Sequence, residues 1–301
     1  MRMHPFHRTE LLVGGEGWST LQGASVCVIG LGGVGSFAAE ALARSGVGHL
    51  TIVDFDSVCL TNLNRQLHAT RSTVGKSKAA LMGDRIRDIA PKIDLRVLPL
   101  FYDADTAEQV LDRRYDMVLD CIDNMAAKLD LLQRCHLIGQ PVIAAMGAGG
   151  RLDPTRVHTT PLSETHTCPF ARIVRERLRV LAPDANPMVV WSSESPNTLD
   201  KAAEEGFRCI CPDRQNSPHS CDRRFQVQGS VAWMPPIFGM TMAGAACMQM
   251  LDRPVQSQRV VKGGHQRMKP SRDKISNARK RALLQEAGFK PVDVGGLKLG
   301  R

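Results

Sequence analysis

The sequence predicts an α/β protein: a Rossmann-like, doubly wound, mainly parallel sheet with helices on both faces, followed by a helical and irregular C-terminal tail. Three observations predict it. Short apolar runs alternate with stretches of helical spacing over the first 150 residues. The first run ends in the glycine-rich turn Gly30-Leu-Gly32-Gly33-Val-Gly35, and the second stops at an acid, Asp54. With 301 residues and 43% apolar composition, the chain is large enough to bury such a sheet in one domain.

Residues 25–29 form a short apolar run, the glycine turn comes next, and 36–44 is a helix of small residues. A second apolar run, 49–53, completes a β-turn-α-β unit. Residues 76–89 carry Ala79, Ala80, Met82, Ile86 and Ile89 at helical spacing and stop before Pro91. Residues 94–100 alternate as a strand does. After another helix, the strand 117–119 leads into Asp120-Cys-Ile-Asp123, then a helix over 126–137 and a strand over 141–145. Beyond Gly150 the pattern turns irregular and polar, with a basic helix over 171–180 and a loop rich in Ser, Glu and Pro over 192–206. Substrate-facing insertions are expected at about 151–228, because loops on a rigid sheet carry specificity. Residues 225–251 lack any charge and are long enough to span a bilayer. Gln226, Gln228, Ser230, Pro235 and Pro236 argue instead for a loop followed by a buried helix. The expected division is a domain over 1–252 and a tail over 253–301.

The tail differs sharply from the body in charge. Of the net +9, residues 253–301 supply 13 Lys or Arg against 3 acids, leaving 26 against 27 before them. This asymmetry points to a polyanionic partner, RNA first and an anionic membrane surface second, with a merely solvated tail as the alternative. One basic helix is expected there, capped by Ser271 and ended by Gly288, with Ile275, Leu283 and Leu284 near one face. Nine cysteines accompany an N-terminus without an apolar signal-like stretch, so reduced thiols and a cytoplasmic location are expected.

Gly30, Gly32 and Gly35 satisfy the spacing at which a phosphate approaches backbone N–H groups at a helix N-terminus. Asp54 stands where an acid binds a ribose hydroxyl. These features alone fit an NAD-dependent dehydrogenase equally well. The residues from 56 to 78 separate the two readings: Asp56, then Thr61-Asn62-Leu-Asn64-Arg65-Gln66, then Val74-Gly-Lys-Ser-Lys78 at the head of a helix. A dehydrogenase needs no such array of cations and amides. Adenylation does, because negative charge builds on the α-phosphate and on leaving pyrophosphate, where Arg65 and Lys78 would act. Asp123, at the end of a later strand, would hold Mg²⁺.

These motifs, Gly30-x-Gly32-Gly33-x-Gly35-Ser36, Asp54-x-Asp56, Thr61-Asn62-x-Asn64-Arg65-Gln66, Val74-Gly-x-x-Lys78 and Asp120-x-x-Asp123-Asn, resemble the adenylyltransferase domain shared by ubiquitin-activating enzymes and the ThiF-like bacterial enzymes that activate sulfur-carrier proteins. The resemblance implies that Asp54 binds the ribose of ATP, Asn62, Arg65 and Lys78 contact the phosphates, and Asp123 holds Mg²⁺. Arg8 lies where some members send an arginine into a partner subunit's nucleotide site, which implies a homodimer.

Within the family the chain is most similar to the branch of tRNA threonylcarbamoyladenosine dehydratases. The similar stretches are Phe6-x-Arg8-Thr-Glu-Leu-Leu-x-Gly14, Asn62-Leu-Asn-Arg-Gln-Leu-His68, Gly147-Ala-Gly-Gly150 with Asp153-Pro154, Val190-Trp-Ser-Ser-Glu194 and Gly229-Ser230 leading to Pro235-Pro-Ile-Phe-Gly239. This implies that the carboxylate of tRNA-linked threonine attacks the α-phosphate of ATP, and that the acyl-adenylate is closed by an atom of the adjoining carbamoyl group. Activation of a ubiquitin-like sulfur carrier is the alternative, with Cys168 as its candidate nucleophile and a sulfur-transfer protein as a further partner. The paired Cys-x-x-Cys zinc site of the sulfur-carrier enzymes is missing. Cys209, Cys211, His219 and Cys221 are the residues from which a structural Zn²⁺ site would have to be built. An inactive nucleotide-binding adaptor remains a third class.

Overall fold

The fold was described in a computed structural model over residues 4–198, 229–253 and 255. It opens with helix α1 (His7–Gly23), kinked at Gly14, where φ is +83°. Next come β1 (Ser25–Ile29), α2 (Gly35–Ser45), β2 (His49–Val53), α3 (Lys78–Ile89), β3 (Asp94–Leu98), the single turn α4 (Ala107–Val110), β4 (Met117–Asp120), α5 (Met125–Leu137) and β5 (Val142–Ala145). After β5 stand β6 (Val157–Pro161), α6 (Pro169–Leu181), β7 (Met188–Ser192) and the long α7 (Met234–Met250).

The seven strands run in the order β3-β2-β1-β4-β5-β7-β6, parallel throughout except for β6 against β7. Strand alternation divides the core between the two faces. Val26 and Val28 of β1 pack with α2, α3 and α7, whereas Cys27 and Ile29 face Tyr102, Tyr115 and Leu131 of α5 on the other side. Farther along that second face, Val189 and Trp191 of β7 pack with α6. The chain reverses its direction of winding between β1 and β4, and Ile29 pairs with Val53 on one side and Asp120 on the other. The C-terminal ends of β1, β2 and β4 therefore finish level at the topological switch point, where open α/β sheets bind ligands.

The expected elements up to β5 are present, with helix α3 beginning at Lys78 because Ser77 caps it by accepting from Ala80 N–H. Within the uncharged stretch, residues 234–250 form α7, which buries Met234, Phe238, Met242 and Ala246 and leaves Met240 and Met248 exposed. Gly239 of α7 lies so close to α2 that a Cβ there would meet Val34 O at 2.2 Å. Among the described residues no helix is long and apolar enough to cross a membrane.

The irregular reading of the region after Gly150 requires correction, since β6 and β7 both belong to the sheet. Their polar side chains are satisfied inside the fold: Trp191 Nε1 donates to Thr160 Oγ1 at 2.9 Å, and His158 Nε2 and Ser193 Oγ are 2.9 Å apart. Helix α1 was also unforeseen. Its glycines at 14, 15 and 17 dilute the apolar spacing that marks a helix. The four proposed zinc ligands, most of the 192–206 loop and nearly all of the tail, with its predicted helix, lie outside the described residues.

Candidate active site

The loop between β1 and α2 is closed by its glycines. Gly30 has φ +90°, and a Cβ on Gly35 would fall 1.7 Å from Gly30 O, so neither position accepts a side chain without reshaping the turn. Gly33 lies against Arg65 and Pro235, whereas Gly32 faces only the Gln66 amide at 3.9 Å from its absent Cβ. Ser36 Oγ donates to Gly32 O at 2.6 Å and accepts from Leu67 N–H at 3.4 Å, tying the loop to the segment that carries Arg65.

Asp54 is buried at the end of β2. Its Oδ2 accepts from Leu31 N–H at 2.6 Å and its Oδ1 from Asp56 N–H at 2.8 Å, so one carboxylate holds both flanking loops. Burial pushes its pKa up, opposed by the Lys78 cation. Lys78 is itself buried in the first turn of α3, with Nζ 2.7 Å from Asp56 Oδ2.

Between these acids and α3, the 3₁₀ turn Leu60–Asn62 is stapled by Asn62, whose Oδ1 accepts from Cys59 N–H at 2.9 Å. The carbonyl of Asn62 accepts from the N–H groups of Arg65 and Gln66. Arg65 Nη1 donates to Thr61 O at 3.0 Å and to Asn64 Oδ1 at 2.9 Å, while Asn64 Nδ2 donates to Ser230 O at 3.0 Å. Among the described residues, the buried Gln66 finds no partner for Oε1, and the buried His68 none for either ring nitrogen. Burial, helped by Lys78, drives the His68 pKa down to about 4, so the ring is neutral at pH 7.

The two acids after β4 divide cleanly. Asp120 is wholly buried and pairs with the equally buried Lys128 at 2.6 Å, so it is part of the architecture. Asp123 is exposed on the following loop, next to Asn124, which caps α5 by accepting from Ala126 and Ala127 N–H. A solvent-facing carboxylate beside the switch point is the type of hard oxygen ligand that Mg²⁺ takes. Arg8 lies outside this network, exposed on the first turn of α1. His4, His7 and Glu10 are the one group of three potential metal ligands among the described residues. Glu10 Oε2 there lies 3.0 and 3.1 Å from the two rings, closing a hydrogen-bonded bracket.

The structure thus gathers the predicted residues from 30 to 78 into one network and sets Asp123 at the neighbouring strand end. Sequence reasoning assigned no role to His68, Lys128 or Arg151. Residue type alone carries no signal of burial or pairing; His68 ends one of the family-like stretches, but Lys128 and Arg151 sit in none.

A glycine loop at the switch point, an acid closing β2 and a cation-rich turn after it define a nucleotide-binding protein of the Rossmann-like class. A profile of the ThiF family matches residues 6–282, and the chain belongs to that family. It is 41% identical over 251 residues to the tRNA threonylcarbamoyladenosine dehydratase of Bacillus subtilis, a match covering 83% of this chain and 95% of that protein. The enzyme of the same name from Escherichia coli is 42% identical over 174 residues, 58% of this chain and 65% of its own length. The crystal structure of that Escherichia coli enzyme in complex with ATP superposes with a TM-score of 0.70 at 32% identity, covering 83% of this chain and 94% of the other.

Proposed function

We propose that the chain is an ATP-dependent dehydratase that cyclises threonylcarbamoyladenosine in tRNA. The observation that carries this reading is the single network from Gly30 to Lys78 at the switch point, in a chain that matches a dehydratase over nearly the whole of that enzyme's length. Asp54 holds the ribose of ATP, and the N–H groups at the head of α2 receive its phosphates. Arg65, Lys78, Asn62, Asn64 and Gln66 surround the α-phosphate and the leaving pyrophosphate. A carboxylate oxygen of the tRNA-linked threonine attacks the α-phosphorus, and the bond to pyrophosphate breaks. An atom of the adjoining carbamoyl group then closes on the activated carbonyl, and AMP departs with the carboxyl oxygen. The nucleoside loses one water, and ATP ends as AMP and pyrophosphate. Mg²⁺, held by Asp123, would neutralise charge on the nucleotide oxygens.

The reading includes a homodimer. Arg8, Leu11 and Leu12 fall at i, i+3 and i+4 on α1, and the two leucines are 73% and 82% exposed, an apolar face suited to a second copy that Arg8 would then enter. The proposed domain spans 1–252, the basic tail 253–301 grips tRNA, and the location is cytoplasmic. Cys168 offers the sulfur-carrier alternative little, being 3% exposed in the apolar cluster around Trp191.

The test incubates the protein with threonylcarbamoylated tRNA, ATP and Mg²⁺ and seeks, by mass spectrometry, a nucleoside lighter by one water. Water loss is expected, reduced by roughly a hundredfold or more in Arg65→Ala, the scale of losing one preorganised charge-stabilising group. Asp123→Ala should fail similarly. Protein that binds ATP and yields no such product would overturn the reading in favour of carrier-protein activation.

A further inference from the structure

Arg151 is 2% exposed, yet its Nε and Nη1 find no hydrogen-bond partner among the described residues. A guanidinium keeps its charge at any pH at which proteins fold, and leaving its donors without hydrogen bonds in the interior is costly. Glu194 is within electrostatic reach, but its oxygens are occupied by Leu152 N–H and Asp153 N–H, each at 2.9 Å, and by Asn197 Nδ2 at 2.8 Å. The Arg151 charge helps hold the Glu194 carboxyl down, yet neither Nε nor Nη1 hydrogen-bonds to it.

The position of Arg151 indicates what it waits for. It succeeds the turn at Gly150, where φ is +69°, on the loop leaving the C-terminal end of β5. Strand β5 pairs with β4, so this loop borders the strand end that leads to Asp123. One segment bridges it to the nucleotide loops: Gly229 O accepts from Gly150 N–H at 2.8 Å, Ser230 O accepts from Asn64, Trp233 Nε1 donates to Leu152 O at 2.8 Å, and Pro235 lies beside Gly33. One segment therefore holds both the residue before Arg151 and the loop that carries Asn64 and Arg65, with Arg151 on the β5 side of the switch point.

We infer that Arg151 receives the carboxylate of the threonine that is to be adenylated, a role that rests on the proposed dehydratase function. The nucleophile is an anion approaching a polyanion, and a buried guanidinium offsets that repulsion while orienting both oxygens in bidentate fashion. Near-complete burial favours a small terminal carboxylate over a bulky phosphodiester of the RNA backbone.

Three measurements on the full chain test this. Arg151→Met keeps the length and apolar stem without the charge, so the ligand-free protein is expected to melt no lower than wild type, and ATP affinity should be unchanged. The apparent affinity for a threonylcarbamoylated anticodon stem-loop should fall roughly tenfold to a hundredfold, the scale of one charge-assisted pair, while the same stem-loop without the threonylcarbamoyl group binds as before. Arg151→Lys should recover part of the loss. Equal weakening toward both RNAs would overturn the assignment in favour of a backbone phosphate, and a lowered melting point in both variants would make Arg151 structural. Thermal shift with N-carbamoylthreonine separates this inference from the reading beneath it. A shift in wild type that disappears in Arg151→Met supports the carboxylate site even if no RNA is dehydrated, whereas identical shifts overturn it even if RNA is.

Discussion

Two buried cations sit one strand apart and are treated in opposite ways. Lys128 reaches from α5 to Asp120 at the end of β4, both wholly buried and 2.6 Å apart. Arg151, beyond the end of β5, is buried almost as deeply, and two of its donors have no partner among the described residues. The first cation completes its charge inside the fold and contributes architecture; the second leaves it open, the condition a site needs if binding is to be driven by what the protein lacks. The same contrast divides Asp120 from Asp123, the saturated acid and the exposed one, three residues apart.

The comparison breaks most readily at Lys128. Lys128→Met removes the cation but strands the Asp120 carboxylate, whose pKa burial already pushes up. A loss of about 3–5 kcal/mol is expected in urea unfolding. Adding Asp120→Asn should recover much of it, because the neutral pair no longer carries an isolated buried charge. If Lys128→Met and Arg151→Met proved equally destabilising, the distinction between architectural and receptive cations would collapse.

His68 supplies the intermediate case, a buried basic group that has no partner among the described residues and can shed its charge. Its pKa falls from the ordinary 6.5 to about 4, so between those values the unfolded chain binds more protons than the folded one. Stability from the neutral ring is complete above pH 6.5 and is lost as the pH falls toward 4. Going from pH 7 to pH 5 should destabilise the wild type through this group by up to about 2 kcal/mol. His68→Leu should flatten that part of the profile. A variant with the same acid sensitivity as wild type would show that the ring is solvated or paired in solution.

Much of the fold was legible because its elements speak a local language. Strands β1, β2 and β4 are short apolar runs, and α3 and α5 carry periodic apolar residues between caps. Strand β6 was hidden because His158 and Thr160 satisfy their polarity through tertiary bonds that no local pattern announces, whereas β7 is as apolar a run as β1 and was overlooked amid the polar stretches around it. In the site, Gly30, Gly35 and Asp54 were readable since a tight turn and a strand-end acid demand those residue types. What could not be read was pairing. Asp120 and Asp123 look alike in sequence, and only packing against Lys128 makes one of them structural. Arg151 looks like any surface arginine until its burial is known.

The smallest effect expected concerns Asn124, where architecture and site meet. Its side chain accepts from Ala126 and Ala127 N–H at 3.0 and 3.1 Å, satisfying two of the donors left open at the start of α5. Helix α5 carries Lys128, and the residue before the cap is Asp123, so one side chain holds the paired cation's helix and the exposed carboxylate's loop. Asn124→Ala should cost about 1 kcal/mol of stability, while Asn124→Asp or Asn124→Ser, which restore the acceptor, should cost little. Because the cap also fixes the approach of Asp123, the alanine variant should weaken ATP use at low Mg²⁺ more than at saturating Mg²⁺, measured as the Mg²⁺ dependence of pyrophosphate exchange. A stability loss without that Mg²⁺ dependence would assign the cap wholly to the architectural side and leave Asp123 positioned by the loop alone.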